Sequence, residues 1–423
     1  MTTGFYHIMA AQFFSALADN ALLIAAIAIL RDMQAPAGYE PLLKTSFTLS
    51  YVFLAAFVGA FADSMSKWRV MFIANGIKIF GCSLMFFEVP PLVAYAVVGL
   101  GAAAYSPAKY GILTEYLPHR LLVVANGWIE GLTVVAIIFG VVLGGALINP
   151  DVTFALLSFD LPGIDTSIDT ATEINLTLIG GLYLIAALFN LFIPDTGVDH
   201  KPLKRNPLYL FHEFNHCLKL LWRDRLGQVS LAVTTLFWGA GATLQFIVIE
   251  WASVALELNL SKASMLQGMV AVGVAVGAIL AAKTVTMRLS VRVIPLGILM
   301  GIMVIGLVFV HDMEFAVPLL IIVGVLSGFF VVPMNALLQH RGHILMGAGH
   351  SIAVQNFNEN LSILAMTGLY SALIGFGCSI DTVIILFGLF VTSSMWLVLR
   401  HHQANQRQHD DVSSLDEITH HGS

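Results

Sequence analysis

Asp19, Lys78, Lys109, Glu130 and Glu359 are ionisable residues set inside long apolar runs of this chain. A charged group at the centre of a bilayer costs about 3 kcal/mol on insertion scales, so such groups face a bundle interior or a wet cavity. Asp19, in Ser15-Ala16-Leu17-Ala18-Asp19-Asn20, lies about eleven residues into its run and hence near mid-depth. It reads as a binding or proton-linked carboxylate; the alternative is a carboxylate that pairs two helices. Lys109, in Tyr105-Ser106-Pro107-Ala108-Lys109-Tyr110-Gly111, follows a proline that removes a backbone donor and predicts a kink. A lysine there can hold a phosphate or carboxylate as a point charge. Its alternative is snorkelling to the surface.

The other three carry blander readings beside the functional ones. Glu115 and Glu130 flank one turn, where a structural salt-bridge cluster is expected. Glu359, in Gln355-Asn356-Phe357-Asn358-Glu359-Asn360, shares its run with several amides, which reads as a hydrated face or a polar helix interface. Lys78, in Asn75-Gly76-Ile77-Lys78, reads as a pairing or packing residue.

The elements that carry these residues follow from composition. Of 423 residues, 58% are hydrophobic and only 11% charged, against about 25% charged in soluble proteins. A mean hydropathy of +0.85 excludes a soluble globule, a secreted domain and a disordered chain. At roughly 20 apolar residues per spanning helix, twelve spans are expected at 8–30, 42–62, 69–87, 91–113, 124–148, 176–194, 229–256, 264–287, 291–310, 315–339, 347–374 and 379–400. Their helical length excludes a β-barrel. The first run is too long for a signal-peptide core. The net charge of −6 says little about partners, because the charges are segregated by loop. Cys82, Cys217 and Cys378 read as inert small residues.

Fifteen of the twenty Lys and Arg fall on one side if both termini are cytoplasmic, with only Arg31, Lys44 and Lys262 outside. The loop 149–175 agrees, being acidic with no basic residue. The basic stretch 195–228 divides six spans from six. The expected organisation is an all-α membrane protein with an N-terminal six-helix bundle (1–194), a cytoplasmic linker (195–228), a C-terminal six-helix bundle (229–400) and a disordered cytoplasmic tail (401–423). A weak internal repeat places Ser106-Pro107-Ala108-Lys109 over Val332-Pro333-Met334-Asn335 and Asp19 over Gln245. Parallel halves with a mid-depth site between them are a transporter plan. The candidate binding set is therefore Asp19, Asn20, Lys109, Tyr110, Gln245, Asn335 and Glu359.

The stretch Gly59-Ala60-Phe61-Ala62-Asp63-Ser64-Met65-Ser66-Lys67-Trp68-Arg69 resembles the loop signature of the major facilitator superfamily, with Ser64 and Ser66 replacing an arginine and a glycine of the usual core. Gly140-Val141-Val142-Leu143-Gly144-Gly145 adds a small-residue packing face. Ala18-Asp19-Asn20-Ala21-Leu22-Leu23, Ala103–Leu113, Leu236-Phe237-Trp238-Gly239-Ala240-Gly241 and Gly328–Gln339 are similar to the bacterial lysophospholipid transporter family within that superfamily. The resemblance runs in order over nearly all twelve spans. A monomer is expected, and the resemblance implies a multi-pass protein of the bacterial inner membrane that moves lysophospholipids from the outer to the inner leaflet. An acyltransferase/acyl-carrier-protein synthetase then reacylates them. It also implies binding roles for Asp19 and Lys109, while the superfamily loop implies gating or structural roles for Gly59, Asp63, Lys67 and Arg69, which Glu115 and Glu130 join as the expected salt-bridge cluster. Many members carry arginine where Gln245 stands and asparagine where His350 stands, so a charge contact from the seventh span is not carried over.

A lysophospholipid suits these residues: Asp19 can meet an ammonium, Lys109 a phosphate, and Phe- and Met-rich helices can pass an acyl chain. The alternative is a proton-coupled facilitator exporting drugs or carrying a small polar solute, with Asp19 titrating. An enzyme is not expected: the sequence has no metal-ligand spacing, nucleotide loop or nucleophile elbow. No cofactor, metal or nucleic-acid partner is expected; membrane lipids are.

Overall fold

The computed structural model describes residues 3–35, 39–148, 150–157, 170–199, 206–258 and 260–408. The helices in chain order are α1 (Thr3–Asp32), α2 (Tyr39–Phe53), α3 (Ala55–Asp63), α4 (Lys67–Phe86), α5 (Pro91–Tyr116), α6 (Leu122–Ile148), α7 (Pro150–Leu157), α8 (Ala171–Leu191), α9 (Pro207–Arg223), α10 (Arg225–Ala255), α11 (Leu260–Thr284), α12 (Ile294–Ile305), α13 (Met313–Met346), α14 (Ala348–Gly375) and α15 (Ile380–Gln408). Short 3₁₀ turns at Met287–Val293 and Gly306–Phe309 extend α12 at both ends.

Among the described residues ten helical stretches are long and apolar enough to cross a membrane, and an eleventh forms if α2 and α3 count as one span. The twelfth expected span is α14, whose length suffices but whose first half carries His350, Gln355, Asn356, Asn358, Glu359 and Asn360. Large apolar side chains such as Phe309, Phe315 and Phe376 stand on the surface, as a lipid-facing exterior requires. The chain is a multi-pass membrane protein.

The second expected span is not straight. Its two pieces meet at 62°. No proline causes this. Thr48 donates to the Lys44 carbonyl and Ser50 to the Ser46 carbonyl, and such back-bonding bends helices just before Leu54. Pro107, by contrast, sits inside an unbroken α5.

The chain forms two compact units. One comprises Met1–Ile112 and Val135–Phe211, the other Leu113–Val134 and His212–Ser423. In the first, α8 packs on both α1 and α4 around a core that includes Leu22, Met85, Tyr95, Val98, Ile179 and Tyr183. Gly140 and Gly144 let α6 approach α1 closely, so the small-residue face is used for packing. In the second unit α11 packs on α13, α10 on α14 and α12 on α15. Gly273 of α11 meets Gly324 of α13, the close approach that small residues permit between spans.

The stretch between the halves contains α9, an amphipathic helix. Phe214, Cys217 and Leu221 are buried at helical spacing, while His216, Arg223 and other polar groups face out. Phe214 packs edge-on to Phe357 of α14, and Trp222 donates to Asn358 at 3.3 Å. Lys201, Lys204 and Arg205 of the basic stretch lie outside the described residues, as do 149 and 158–169 of the acidic loop 149–175. Of the expected tail, 401–408 continues α15, and 409–423 lies outside the described residues.

Candidate functional site

Within the first unit α1, α4, α5 and α8 each turn polar groups to one point. Ser15 and Asp19 are one turn apart on α1, Asn75 and Lys78 one turn apart on α4, and Tyr105 and Lys109 one turn apart on α5, the spacing that stacks side chains on one helix face. Tyr183 comes from α8. Lys78 Nζ lies 2.7 Å from Asp19 Oδ2 and donates to Ser15 Oγ at 3.0 Å. The Ser15 hydroxyl in turn donates to Asn75 Oδ1 at 2.9 Å. The Tyr183 hydroxyl donates to Asp19 Oδ1 at 2.8 Å. The rings of Tyr105 and Tyr183 face the ammonium, with centroids 5.0 and 5.7 Å away.

Burial makes this arrangement necessary. The Lys78 side chain is 2% exposed, that of Asp19 20%. An ammonium so deep is tolerable only with a counter-charge and further partners. Asp19 supplies the charge, Ser15 the hydrogen bond, and the two rings their negative faces. Two polar atoms in this neighbourhood, the Tyr105 hydroxyl and Asn75 Nδ2, are buried with no partner.

Beside the pair lies a polar cavity of about 70 Å³. Its lining includes Gln12, Ser15, Asp19, Tyr51, Lys78, Tyr105 and Lys109. Asp19 and Lys109, singled out in the sequence as charges within apolar runs, both line this cavity. Lys109 is buried, with Nζ 4.1 Å from the ring centre of Tyr110. Asn20, beside Asp19, is not among the residues lining this cavity and donates to its own helix at the Ala16 carbonyl, 2.8 Å. Lys78 is indeed a pairing residue, and its partner is Asp19. Ser15, Asn75 and Tyr183 were not singled out; a serine, an amide and a tyrosine in an apolar run carry no strong signal of their own.

The loop motif of this unit closes on itself. Gly59 is buried in α3. Lys67 Nζ lies 2.8 Å from Asp63 Oδ1 and 2.6 Å from the Ala62 carbonyl oxygen, with both side chains under a tenth exposed. Ser66 donates to Asp195 Oδ2 at 2.9 Å. Arg69 is exposed and lies over the Trp68 ring at 5.1 Å.

The second unit holds a separate buried chain of polar groups. Asn126 and Gln339 exchange two amide hydrogen bonds of 2.9 Å each. One turn along, Asn335 Nδ2 donates to Glu130 Oε1 at 3.3 Å. Gln355 Nε2 donates to Asn335 Oδ1 at 3.0 Å and to Glu359 Oε1 at 2.7 Å. Glu130 and Glu359 are thereby linked through two amides, and the amide-rich stretch of α14 forms a polar helix interface. Glu115 is half-buried near the end of α5, next to Thr114, whose hydroxyl lies 3.4 Å from His343 Nδ1. Gln245 is half-buried on α10. His350 is buried on α14, its Nε2 3.8 Å from Glu213 Oε2 of α9. Arg341 binds Asp224 through two nitrogens, while the Asp224 side chain also caps α10 at the Gly227 amide.

Comparison with known proteins places this geometry. A model of the Major Facilitator Superfamily matches residues 8–380. The chain is 42% identical over 378 residues to the lysophospholipid transporter LplT of Yersinia enterocolitica serotype O:8 / biotype 1B, covering 89% of each sequence. It is also 42% identical over 377 residues to the lysophospholipid transporter LplT of Yersinia pestis strain Pestoides F, covering 89% of this chain and 88% of that one. In fold it is similar to the major facilitator superfamily transporter FucP in its outward conformation, with a TM-score of 0.70, 13% identity and coverage of 95% and 99%. A bacterial homologue of the iron transporter ferroportin, solved outward-facing, gives a TM-score of 0.71 at 12% identity, with coverage of 95% and 100%.

Proposed function

The chain belongs to the lysophospholipid transporter family of the major facilitator superfamily, and from that premise we propose that it moves lysophospholipids, such as lysophosphatidylethanolamine, from the outer to the inner leaflet of a bacterial inner membrane. The observation that carries this reading is the polar cavity lined by Asp19, Lys78 and Lys109 within otherwise apolar helices. A lysophospholipid head bears a phosphate and, in the ethanolamine form, a primary ammonium. Lys109 is the phosphate contact and Asp19 the ammonium contact, both strengthened by the low dielectric of the site. Tyr110 holds the Lys109 ammonium over its ring, and Asn20 flanks Asp19. Gln245, Asn335 and Glu359 complete the binding set from the second half of the chain.

Movement is by alternating access of the halves 1–194 and 229–400 about the linker 195–228, with a lateral opening that leaves the single acyl chain in lipid. Gly59, Asp63, Lys67, Arg69, Glu115 and Glu130 serve the gate; the buried Asp63–Lys67 pair supports this as a latch. Both termini lie in the cytoplasm, and the transporter acts as a monomer. The product is reacylated by an acyltransferase/acyl-carrier-protein synthetase on the inner side.

The test is uptake of labelled lysophosphatidylethanolamine by spheroplasts and by proteoliposomes. Asp19→Asn and Lys109→Ala should each abolish most uptake at normal abundance. Near-normal uptake in both variants overturns the assigned roles. Uptake that survives collapse of the proton gradient supports facilitated flipping over a proton-coupled carrier.

A further inference from the structure

We infer that Lys78 is a built-in occupant of the ammonium subsite, and that it sets how strongly transport depends on an amine in the substrate head. The inference rests on the transport reading above, and asks how the carboxylate of that site is shared.

Both oxygens of Asp19 are taken. Oδ2 accepts from Lys78 at 2.7 Å and Oδ1 from the Tyr183 hydroxyl at 2.8 Å. The occupant of Oδ2 is a primary ammonium on a four-carbon stem, the same chemical group that ends an ethanolamine head. An incoming ammonium therefore meets a carboxylate already neutralised by its own kind, and has to displace it. The site is built for that exchange. Lys78 has a second hold on Ser15 Oγ at 3.0 Å and two aromatic faces around it, and the phosphate that enters with the incoming ammonium supplies the counter-charge it needs when it releases Oδ2. The adjoining cavity of about 70 Å³ exceeds the roughly 10–15 Å³ that one water needs, and a primary ammonium is of similar size. The Tyr105 hydroxyl, buried and unpartnered on the cavity wall, offers the newcomer an acceptor.

The consequence is a tolerance. A head group without an amine leaves the Asp19–Lys78 pair intact, and no buried charge is stranded. An amine-bearing head replaces one ammonium by another. Wild type should then distinguish the two heads weakly. Without Lys78, an amine-free head would leave Asp19 uncompensated, while an amine-bearing head would itself supply the missing cation.

The test compares uptake into proteoliposomes of two lysolipids with one acyl chain, one with a phosphoethanolamine head and one with a phosphoglycerol head. Measured for wild type, Lys78→Gln and Lys78→Gln/Asp19→Asn, the ratio of the two rates is the readout. Lys78→Gln should shift the ratio toward the ethanolamine lipid by about tenfold or more, the size of one buried charge-assisted contact. The double variant, with no carboxylate to neutralise, should return the ratio to that of wild type. Tyr183→Phe, which frees Oδ1 and keeps the ion pair, should shift it the same way by about threefold. If Lys78→Gln is too unstable to purify, the Tyr183→Phe shift decides. A ratio that stays at the wild-type value in Lys78→Gln and in Tyr183→Phe, whether both rates fall together or neither falls, overturns the inference. Failure of wild type to carry either lipid overturns instead the transport reading on which it rests.

Discussion

Gly101 of α5 lies directly against Lys78 of α4: a Cβ on Gly101 would sit 2.7 Å from the Lys78 Cγ and 2.7 Å from the Ala74 carbonyl oxygen. The absence of a side chain at Gly101 is what lets the buried ammonium reach Asp19. Gly101→Val should therefore push α4 and α5 apart, with an overpacking penalty of about 1–3 kcal/mol. A lowered Tm together with a loss of uptake larger than the loss of folded protein is the expected result. Wild-type uptake from this variant would show that the Asp19–Lys78 contact does not matter to transport.

Gly140 does the same for the other side of Asp19. A Cβ there would lie 2.7 Å from the Asn20 Cβ and 2.7 Å from the Leu17 carbonyl oxygen. Gly140→Val should shift α1 and with it Asp19, lowering uptake. Gly145, where a Cβ meets nothing within 4 Å, is the control: Gly145→Ala should leave both uptake and Tm unchanged.

Much of the first site was legible because charge is rare in these helices. Asp19 and Lys109 stand out as charges in apolar runs, Asp19 by its depth along the chain and Lys109 by its place just after Pro107, where snorkelling to the surface was the alternative. Lys78 was visible as a charge needing a partner, but the partner is 59 positions away on another helix, and one-dimensional spacing does not give the rotation of α4 about its axis. Tyr183 had no signal, since a tyrosine in an apolar span is as readily explained by the membrane interface. The break at Leu54 was also hidden, because Ser and Thr back-bonding becomes visible only once the helix exists. In the second unit, the amides around Glu359 announced a polar face, yet the link from Glu359 through Gln355 and Asn335 to Glu130 needed three helices in register.

Asn126 and Gln339 form a closed amide pair with both residues at most 1% exposed. Truncating either to alanine strands the other, at about 1–3 kcal/mol. The double variant Asn126→Ala/Gln339→Ala should destabilise by less than the sum of the two singles. A double-mutant cycle on chemical denaturation in detergent checks this; strict additivity would rule out the coupling.

The Asp63–Lys67 pair is buried on both sides. Removing one member takes a buried counter-charge from the other, and about 3 kcal/mol is expected for Asp63→Ala alone. Asp63→Ala/Lys67→Ala should recover part of that stability while uptake stays low, because the latch is gone in both. Recovered uptake in the double variant would assign the pair to folding alone.

The pairing of α6 with α13 has a consequence for how they can move. Asn126 faces Gln339 and Glu130 faces Asn335, so the two antiparallel helices carry matching rungs one turn apart. A slide of one turn, about 5.4 Å, would bring Asn126 opposite Asn335 but set Glu130 against Val331 and Gln339 against Leu122. The slide would thus break both amide-bearing rungs and set polar groups against apolar ones, which is costly in a buried interface. The rungs work like the teeth of a vernier: this register meshes both at once, and a one-turn shift meshes neither.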